Sequence, residues 1–416
     1  MKAIRFIRSV PRWLLVRGLG GSWRGLATGP LSCIELAEAE PPALPAPDWV
    51  RVRPVLSGIC GSDLSAIGCK GSPYFSPFTS TPFVLGHELV GVIEERGPQT
   101  PEEWQPGQRV VLEPALGCAV RGIEPPCASC AAGQYAHCLN ILKGSIAGGI
   151  QTGYCKSTGG GWSSSLVAHP SQLHRVPDDL TDDEAVLAEP FACAVHGALQ
   201  SKRGRDEWAL VIGCGSIGLM TIAAYKLAGG GAKILAAARY QHQADMARKL
   251  GADEVFTCRG TSALYEWVLA KTGGSIHQPE LGKPVALGGP HVIFDCVGSG
   301  ESIDDALRLA APKGLVVLVG MPGIPKGVDW TPLWFKELRV QGAYAYGWEN
   351  FATEDGSRIK TMALALDFLR RDKRAGGHLK ELVNRKHPLS AYRVALGQAF
   401  NAGRSGAYKV VFELGK

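Results

Sequence analysis

The sequence predicts an α/β chain: a doubly wound parallel sheet joined to a second, mainly β part. Three observations carry that expectation. Residues 1 to about 196 are rich in Pro and Gly and hold short runs such as Trp49–Val55. Apolar and polar residues alternate there as in a half-buried strand. From Glu207 the texture changes to apolar runs of strand length separated by helix-length segments, the pattern of parallel strands with crossover helices. Between the first such strand and the first such helix lies Gly213-x-Gly215-x-x-Gly218.

The elements follow in order. Lys2-Ala3-Ile4-Arg5-Phe6 reads as an opening strand. It belongs to a stretch without acids: Arg5, Arg8, Arg12, Arg17 and Arg24 all precede Glu35, the first acidic residue. An organelle transit peptide has such a composition, but removing it would delete sheet, so the strand reading is preferred. In the second half, Ala209–Ile212 is a buried strand, followed by a helix from about Ile217 to Ala228. Lys233–Ala238 is the next strand, then a helix through Leu250 and a strand at Glu254–Phe256. Val292–Asp295 and Leu315–Val319 complete the series. Residues 272–290, with five glycines, read as an inserted loop or a disordered one, and Gly-rich residues 144–161 as an irregular segment.

A chain of 416 residues suffices for two domains. Hydrophobic residues at 45% and charged ones at 20% fit a globular protein. No apolar run reaches the roughly 18 residues of a membrane span. With no such run, no membrane is expected as a partner, and the net charge of +6 is spread along the chain without a Lys/Arg block, so no nucleic acid is expected either; the cytoplasm is the expected compartment. Twelve cysteines are many for such a chain. Metal ligation accounts for them better than a disulfide framework. Four lie between Cys118 and Cys138, and seven others read as small buried hydrophobes.

Three short segments carry chemistry: Gly58-Ile59-Cys60-Gly61-Ser62-Asp63, Gly86-His87-Glu88 and Leu187-Ala188-Glu189-Pro190. They supply a thiolate, an imidazole and a carboxylate, all zinc-ligand types. The glycine pattern follows a strand and opens a helix, which is the context of a Rossmann dinucleotide site. Gly213 permits the tight turn, Gly215 lets the pyrophosphate approach, and Gly218 lets the helix pack. Ser216 and Ile217 open the helix whose N-terminus faces the phosphates. A Lewis-acid metal beside a hydride carrier means alcohol or carbonyl redox chemistry.

On these residues the chain resembles the zinc-dependent medium-chain alcohol dehydrogenases, of the polyol and threonine dehydrogenase kind. The resemblance implies a GroES-like catalytic domain at 1–196, an inserted Rossmann domain at 197–342 and a return to the catalytic domain at 343–416. It implies a catalytic zinc on Cys60, His87 and a third ligand before the nucleotide domain. Glu189, followed by Pro190, is favoured there over Cys193. Glu88 is read as an intermittent ligand or a group that tunes the field at the metal, and Asp63 as an acceptor for the ligand imidazole. Ser62 would take the alcohol proton and pass it on. A His often found three residues further in such relays is Ser65 here.

Cys127-x₂-Cys130-x₇-Cys138 matches the family's structural-zinc lobe, while eight residues separate Cys118 from Cys127 where most relatives have two. Two zinc ions per chain are therefore expected, with free thiols or a Cys127–Cys130 redox pair as the alternative. Ala238 stands where NAD-dependent relatives carry Asp, and Arg239 and Tyr240 follow it, with no acid before Asp245. A guanidinium suits a phosphate, so NADP is expected over NAD. The substrate would be a secondary alcohol, polyol or amino alcohol, and the assembly a homo-oligomer by analogy. The competing readings are a zinc-independent carbonyl or quinone reductase and a non-catalytic nucleotide sensor. Tyr74, Phe75, Trp162, Tyr344, Tyr346 and Trp348 are candidates for the pocket, the core or a subunit interface.

Overall fold

The computed structural model describes residues 1–19, 24–201, 204, 207–257, 260–351 and 357–415. Its largest sheet runs in the order Val383–Pro388, Lys409–Glu413, Val50–Gly58, Leu89–Arg96, Arg109–Leu112 and Leu173–Arg175, with Leu166–Ala168 also paired to Val50–Gly58. Strand Val50–Gly58 buries Val50, Val52 and Leu56 on one face, as its alternation requires. The two C-terminal strands thus complete a sheet begun some 350 positions earlier. Lys2–Phe6 is a strand, paired on one side with Ile34–Glu38 and on the other with Phe83–Val84. Arg5 binds Glu35 across that pair at 2.7 Å.

The second sheet is six-stranded and wholly parallel. Its order is Glu254–Thr257, Lys233–Ala238, Trp208–Ile212, Val292–Asp295, Leu315–Leu318, Arg339–Gly342. Ile293, Phe294, Val316 and Val317 are fully buried, because helices cover both faces. The first strand lies centrally and the chain winds outward from it in two directions. The crevice at that switch point is where such sheets bind ligands, and the Gly213–Gly218 turn opens there.

Two stretches differ from the sequence expectation. Residues 272–290 contain an antiparallel hairpin, Gly274–His277 with Val285–Gly288, and not a bare loop. Lys283 ties it to Asp304 at 3.0 Å and Asp305 at 2.6 Å. Its runs are too short and Gly-flanked to read as strands from sequence. A helix at Val10–Leu19 also interrupts the first two strands. Of the seven cysteines expected to be buried, Cys33, Cys69, Cys155 and Cys214 are; Cys193 and Cys296 are half-buried, and Cys258 lies outside the described residues. No helix among the described residues is long and apolar enough to cross a membrane.

Candidate functional site

Cys60 closes the N-terminus of the helix Gly61–Ile67, and Asp63, in its first turn, accepts the Cys60 N–H at 2.9 Å. That contact caps the helix. The other oxygen of Asp63 stands 3.4 Å from His87 Nδ1, and Ser62 Oγ stands 3.4 Å from His87 Nε2. One buried carboxylate therefore caps the start of the helix and stands beside the imidazole. Burial disfavours the imidazolium of His87, yet the charges of Asp63 and Cys60 outweigh it and raise the pKa well above the usual range.

Glu189 lies in the first turn of the helix Ala188–Leu199, where Pro190 is tolerated because the first N–H groups have no helical partner. Cys193, one turn on, shares its face, and its Sγ lies 3.8 Å from Glu189 Oε1. Burial and the charge of Glu88 push the Glu189 carboxyl up to about 7. Glu88 pairs with Lys409, both almost wholly buried, and Lys409 Nζ also donates to Ile59 O at 3.2 Å. Burial opposes the Lys409 ammonium, but Glu88 and Cys60 hold its pKa above the usual value. A Cβ on Gly58 would fall 2.2 Å from Glu88 Oε2 and 2.8 Å from Lys409 Cε. Gly58 therefore gives this pair its room. Sequence reasoning had no sign of Lys409.

The donor set around Ser62 is a thiolate, an imidazole and a carboxylate from three separate elements, which fits zinc. Among the described residues, only Cys118, Cys127, Cys130 and Cys138 have all their ligand atoms within 4.8 Å of one another. Cys60, His87 and Glu189 are set more widely. In the cysteine lobe, Cys118 Sγ and Cys138 Sγ are 3.6 Å apart. The N–H groups of Cys118, Cys127, Leu139 and Asn140 point at the sulfurs from 3.3–3.4 Å. Such donors favour thiolates. Burial opposes them at Cys127, but the N–H groups of Cys130 and Leu139 bring its pKa down to about 6. The long interval before Cys127 leaves the four sulfurs together. Its Arg121 is fully buried and donates to Leu116 O at 2.9 Å and Gly149 O at 2.6 Å.

At the glycine turn, Gly213 has φ +90°, a value side chains rarely adopt. A Cβ on Gly218 would lie 1.9 Å from Gly213 O, whereas one on Gly215 would meet nothing within 4 Å. The turn is thus closed below and open above, as a phosphate-binding turn needs. Ser216 Oγ donates to Tyr408 O, and Ile217 is half-buried beside it. Ala238 is fully buried at the end of its strand, and Arg239 is exposed. Tyr240 stacks on His242 at 5.8 Å and lies against Gly403, so its ring already has neighbours.

The aromatic candidates separate clearly. Trp162 is core, donating to Gly58 O at 3.0 Å and packing edge-on against Phe412. Tyr346 is buried, while Tyr74 is exposed. Phe75 meets Tyr74 edge-on at 5.6 Å. Trp348 lies over Gly133 of the cysteine lobe. Tyr344 faces His137 of that lobe at 5.5 Å. Its phenol is pushed up to about 12, chiefly by burial and then by Cys193. The sequence missed Tyr154, whose ring lies 6.0 Å from that of His87. It comes from the irregular segment, where no spacing pattern marks it.

Two family models match the chain. The alcohol dehydrogenase GroES-like domain covers residues 46–178, and the zinc-binding dehydrogenase domain covers 216–359. The chain belongs to the zinc-dependent medium-chain alcohol dehydrogenases. It is 28% identical to an L-idonate 5-dehydrogenase of Vitis vinifera, over 92% of this chain and 93% of that one. A sorbitol dehydrogenase of Arabidopsis thaliana is also 28% identical, with the same coverage. A Sinorhizobium meliloti chain classed with zinc-binding dehydrogenases and bound to NADP has the same fold. Its TM-score is 0.70 at 22% identity, covering 99% of this chain and 100% of that one. The protein is an NAD(P)-dependent alcohol dehydrogenase, and its cofactors are zinc and NADP or NAD.

Proposed function

We propose that this dehydrogenase moves a hydride between NADP and a secondary alcohol, polyol or amino alcohol, or the matching carbonyl. One observation carries the reading. Ser216, in the glycine turn, is bonded to Tyr408 O, and the next residue, Lys409, pairs with Glu88 beside His87. A single strand thus couples the dinucleotide turn to the Cys60–His87 donor set. Zinc bound there supplies Lewis acidity that lowers the pKa of the substrate hydroxyl. Cys60, His87 and Glu189 are its proposed ligands, with Cys193 beside Glu189 as the competitor. Asp63 holds the imidazole and Lys409 holds Glu88 away from free rotation. Ser62 accepts the hydroxyl proton and passes it on, its own O–H serving as donor. The bound dinucleotide supplies the hydride acceptor, and Gly213, Gly215 and Gly218 shape its phosphate turn.

Ser62→Ala is expected to lower kcat on the order of 100-fold, the usual scale of a positioned proton acceptor. Near-normal turnover in that variant at neutral pH would give the proton to water. Arg239 is exposed at the strand end where the adenosine ribose binds in such folds. Arg239→Ala should therefore lower kcat/KM for NADP more than for NAD. A wild-type enzyme that prefers NAD would sink the NADP assignment. The test of the function as a whole is a panel of polyols, secondary alcohols and amino alcohols assayed with each cofactor alongside zinc content. Absence of turnover on all of them, with cofactor still bound, would favour a nucleotide sensor.

The proposed boundaries are 1–196 and 343–416 for the catalytic domain and 197–342 for the nucleotide domain. The strand Arg339–Gly342 ends its sheet, beside the exposed Trp334 and Phe335. An open strand edge next to exposed aromatics supports a homo-oligomer. We place the enzyme in the cytoplasm.

A further inference from the structure

The Val10–Leu19 helix and a strap at residues 24–33 lie before residue 46, outside both matched family domains. Six of the chain's Lys and Arg residues fall in its first 34 positions, and no acid does. The whole net charge of +6 therefore arises there, since the remaining 38 cations are matched by 38 acids. Of these cations, Arg5 pairs with Glu35 in the sheet, while Arg8 precedes the helix and Arg12 and Arg17 lie on it.

The same place is apolar toward solvent. The helix rests on the protein through Val16, its one buried residue. On its outer side Val10 and Leu14, one turn apart, are 60% and 59% exposed, and Leu19, at the helix end, is 54% exposed. Leu31, on the strap, is 52% exposed. Arg393 donates to Thr28 O at 3.1 Å, so the strap adjoins the helix Tyr392–Phe400, where Val394 is 56% exposed. Neither Arg8, Arg17 nor Arg393 has a carboxylate within ion-pair distance among the described residues. Arg17 instead donates to Cys69 O at 3.0 Å and lies over Trp13.

We propose that this face docks the enzyme on an anionic lipid surface. Exposed aliphatics beside guanidinium groups that have no carboxylate partner match a bilayer interface, whose acyl boundary takes the apolar side chains and whose anionic headgroups take the cations. The sequence alone argued against a membrane partner because no apolar run is long enough to span a bilayer. The structure supplies what composition lacked, a helix held ready on a folded scaffold, so docking need not order a free segment. The enzyme would stay peripheral. Its sheets are untouched by the contact, and the docking face is independent of the proposed chemistry.

The test uses the full-length enzyme with vesicles of phosphatidylcholine alone and of phosphatidylcholine mixed with phosphatidylserine. The protein is expected to sediment with the mixed vesicles only, and less so in high salt. Leu14→Asp should weaken that binding roughly tenfold or more, since it places a charge at the acyl boundary. Arg8→Glu should weaken it by a similar factor through headgroup repulsion. Both residues are exposed and remote from the site, so dehydrogenase activity should not change and serves as the folding control. Equal binding to neutral vesicles, no binding to mixed ones, or undiminished binding of Leu14→Asp would each overturn the proposal. So would self-association in vesicle-free solution that Leu14→Asp abolishes, which would assign the face to a second copy of the chain.

Discussion

Cys60→Ala or His87→Ala is expected to abolish turnover while leaving dinucleotide binding nearly intact. Both residues belong to the proposed catalytic zinc set, and neither belongs to the glycine turn. A Lewis acid stabilises developing oxyanion charge by several kcal/mol. At about 1.4 kcal/mol per factor of ten, its loss lowers kcat on the order of 1000-fold or more. The structure adds a distinction between the two variants. His87→Ala also strips Asp63 Oδ1 and Ser62 Oγ of their neighbour. Cys60→Ala leaves the Cys60 N–H on Asp63 Oδ2, so the helix cap survives. Cys60→Ala should therefore be the better folded of the two. Fluorescence titration with NADPH, thermal unfolding and zinc content measured on each variant check this. Wild-type-like activity in a Cys60→Ala protein that has lost the metal would sink the assignment.

Much of this architecture is legible because it rests on local constraints. Central parallel strands must be apolar on both faces, so Ala209–Ile212 and Val292–Asp295 stand out as runs. A phosphate turn needs glycine where φ is positive or helix and turn approach closely, so Gly213 and Gly218 stand out too. Cys60, His87 and Glu189 stand out because the three short segments that hold them resemble the family's ligand segments. What escapes a reading of the sequence is pairing at long range. Lys409 reaches Ile59 across 350 positions, and only the register of the closing strand brings it to Glu88. Tyr154 is equally hidden, since irregular backbone has no period that would aim its ring at His87. The hairpin at Gly274–Gly288 escapes because its ties are long-range: Lys283 meets two aspartates of the helix Gly300–Leu309, and Ala286 packs into the core. The N-terminal helix escapes for the opposite reason. It is apolar on its outer side, so it lacks the polar face that marks a surface helix.

The cysteine lobe should hold a second, structural zinc, so that the native enzyme carries two per chain. Four sulfurs within 4.8 Å of one another, with backbone N–H groups aimed at them, form a closed set that leaves no position for substrate. The lobe's consequence is mechanical. His137 meets Tyr344 edge-on, and Trp348 covers Gly133, so the lobe braces residues that follow the last strand of the parallel sheet. Removing Cys130 by substitution with Ser deletes one of four metal bonds. Zinc in such sites contributes about 10–16 kcal/mol to folding, and a quarter of that is about 3 kcal/mol. At about 2–4 °C per kcal/mol, Tm should fall by roughly 6–12 °C. Chelation of the wild type should lower Tm at least as far, and the Cys130→Ser protein should respond to chelator less. Activity should decline only in step with unfolding, since none of the four cysteines is among the proposed ligands of the catalytic metal. Native protein holding a single zinc, and losing it in His87→Ala, would show that Arg121 and the long interval before Cys127 have replaced the metal as the brace.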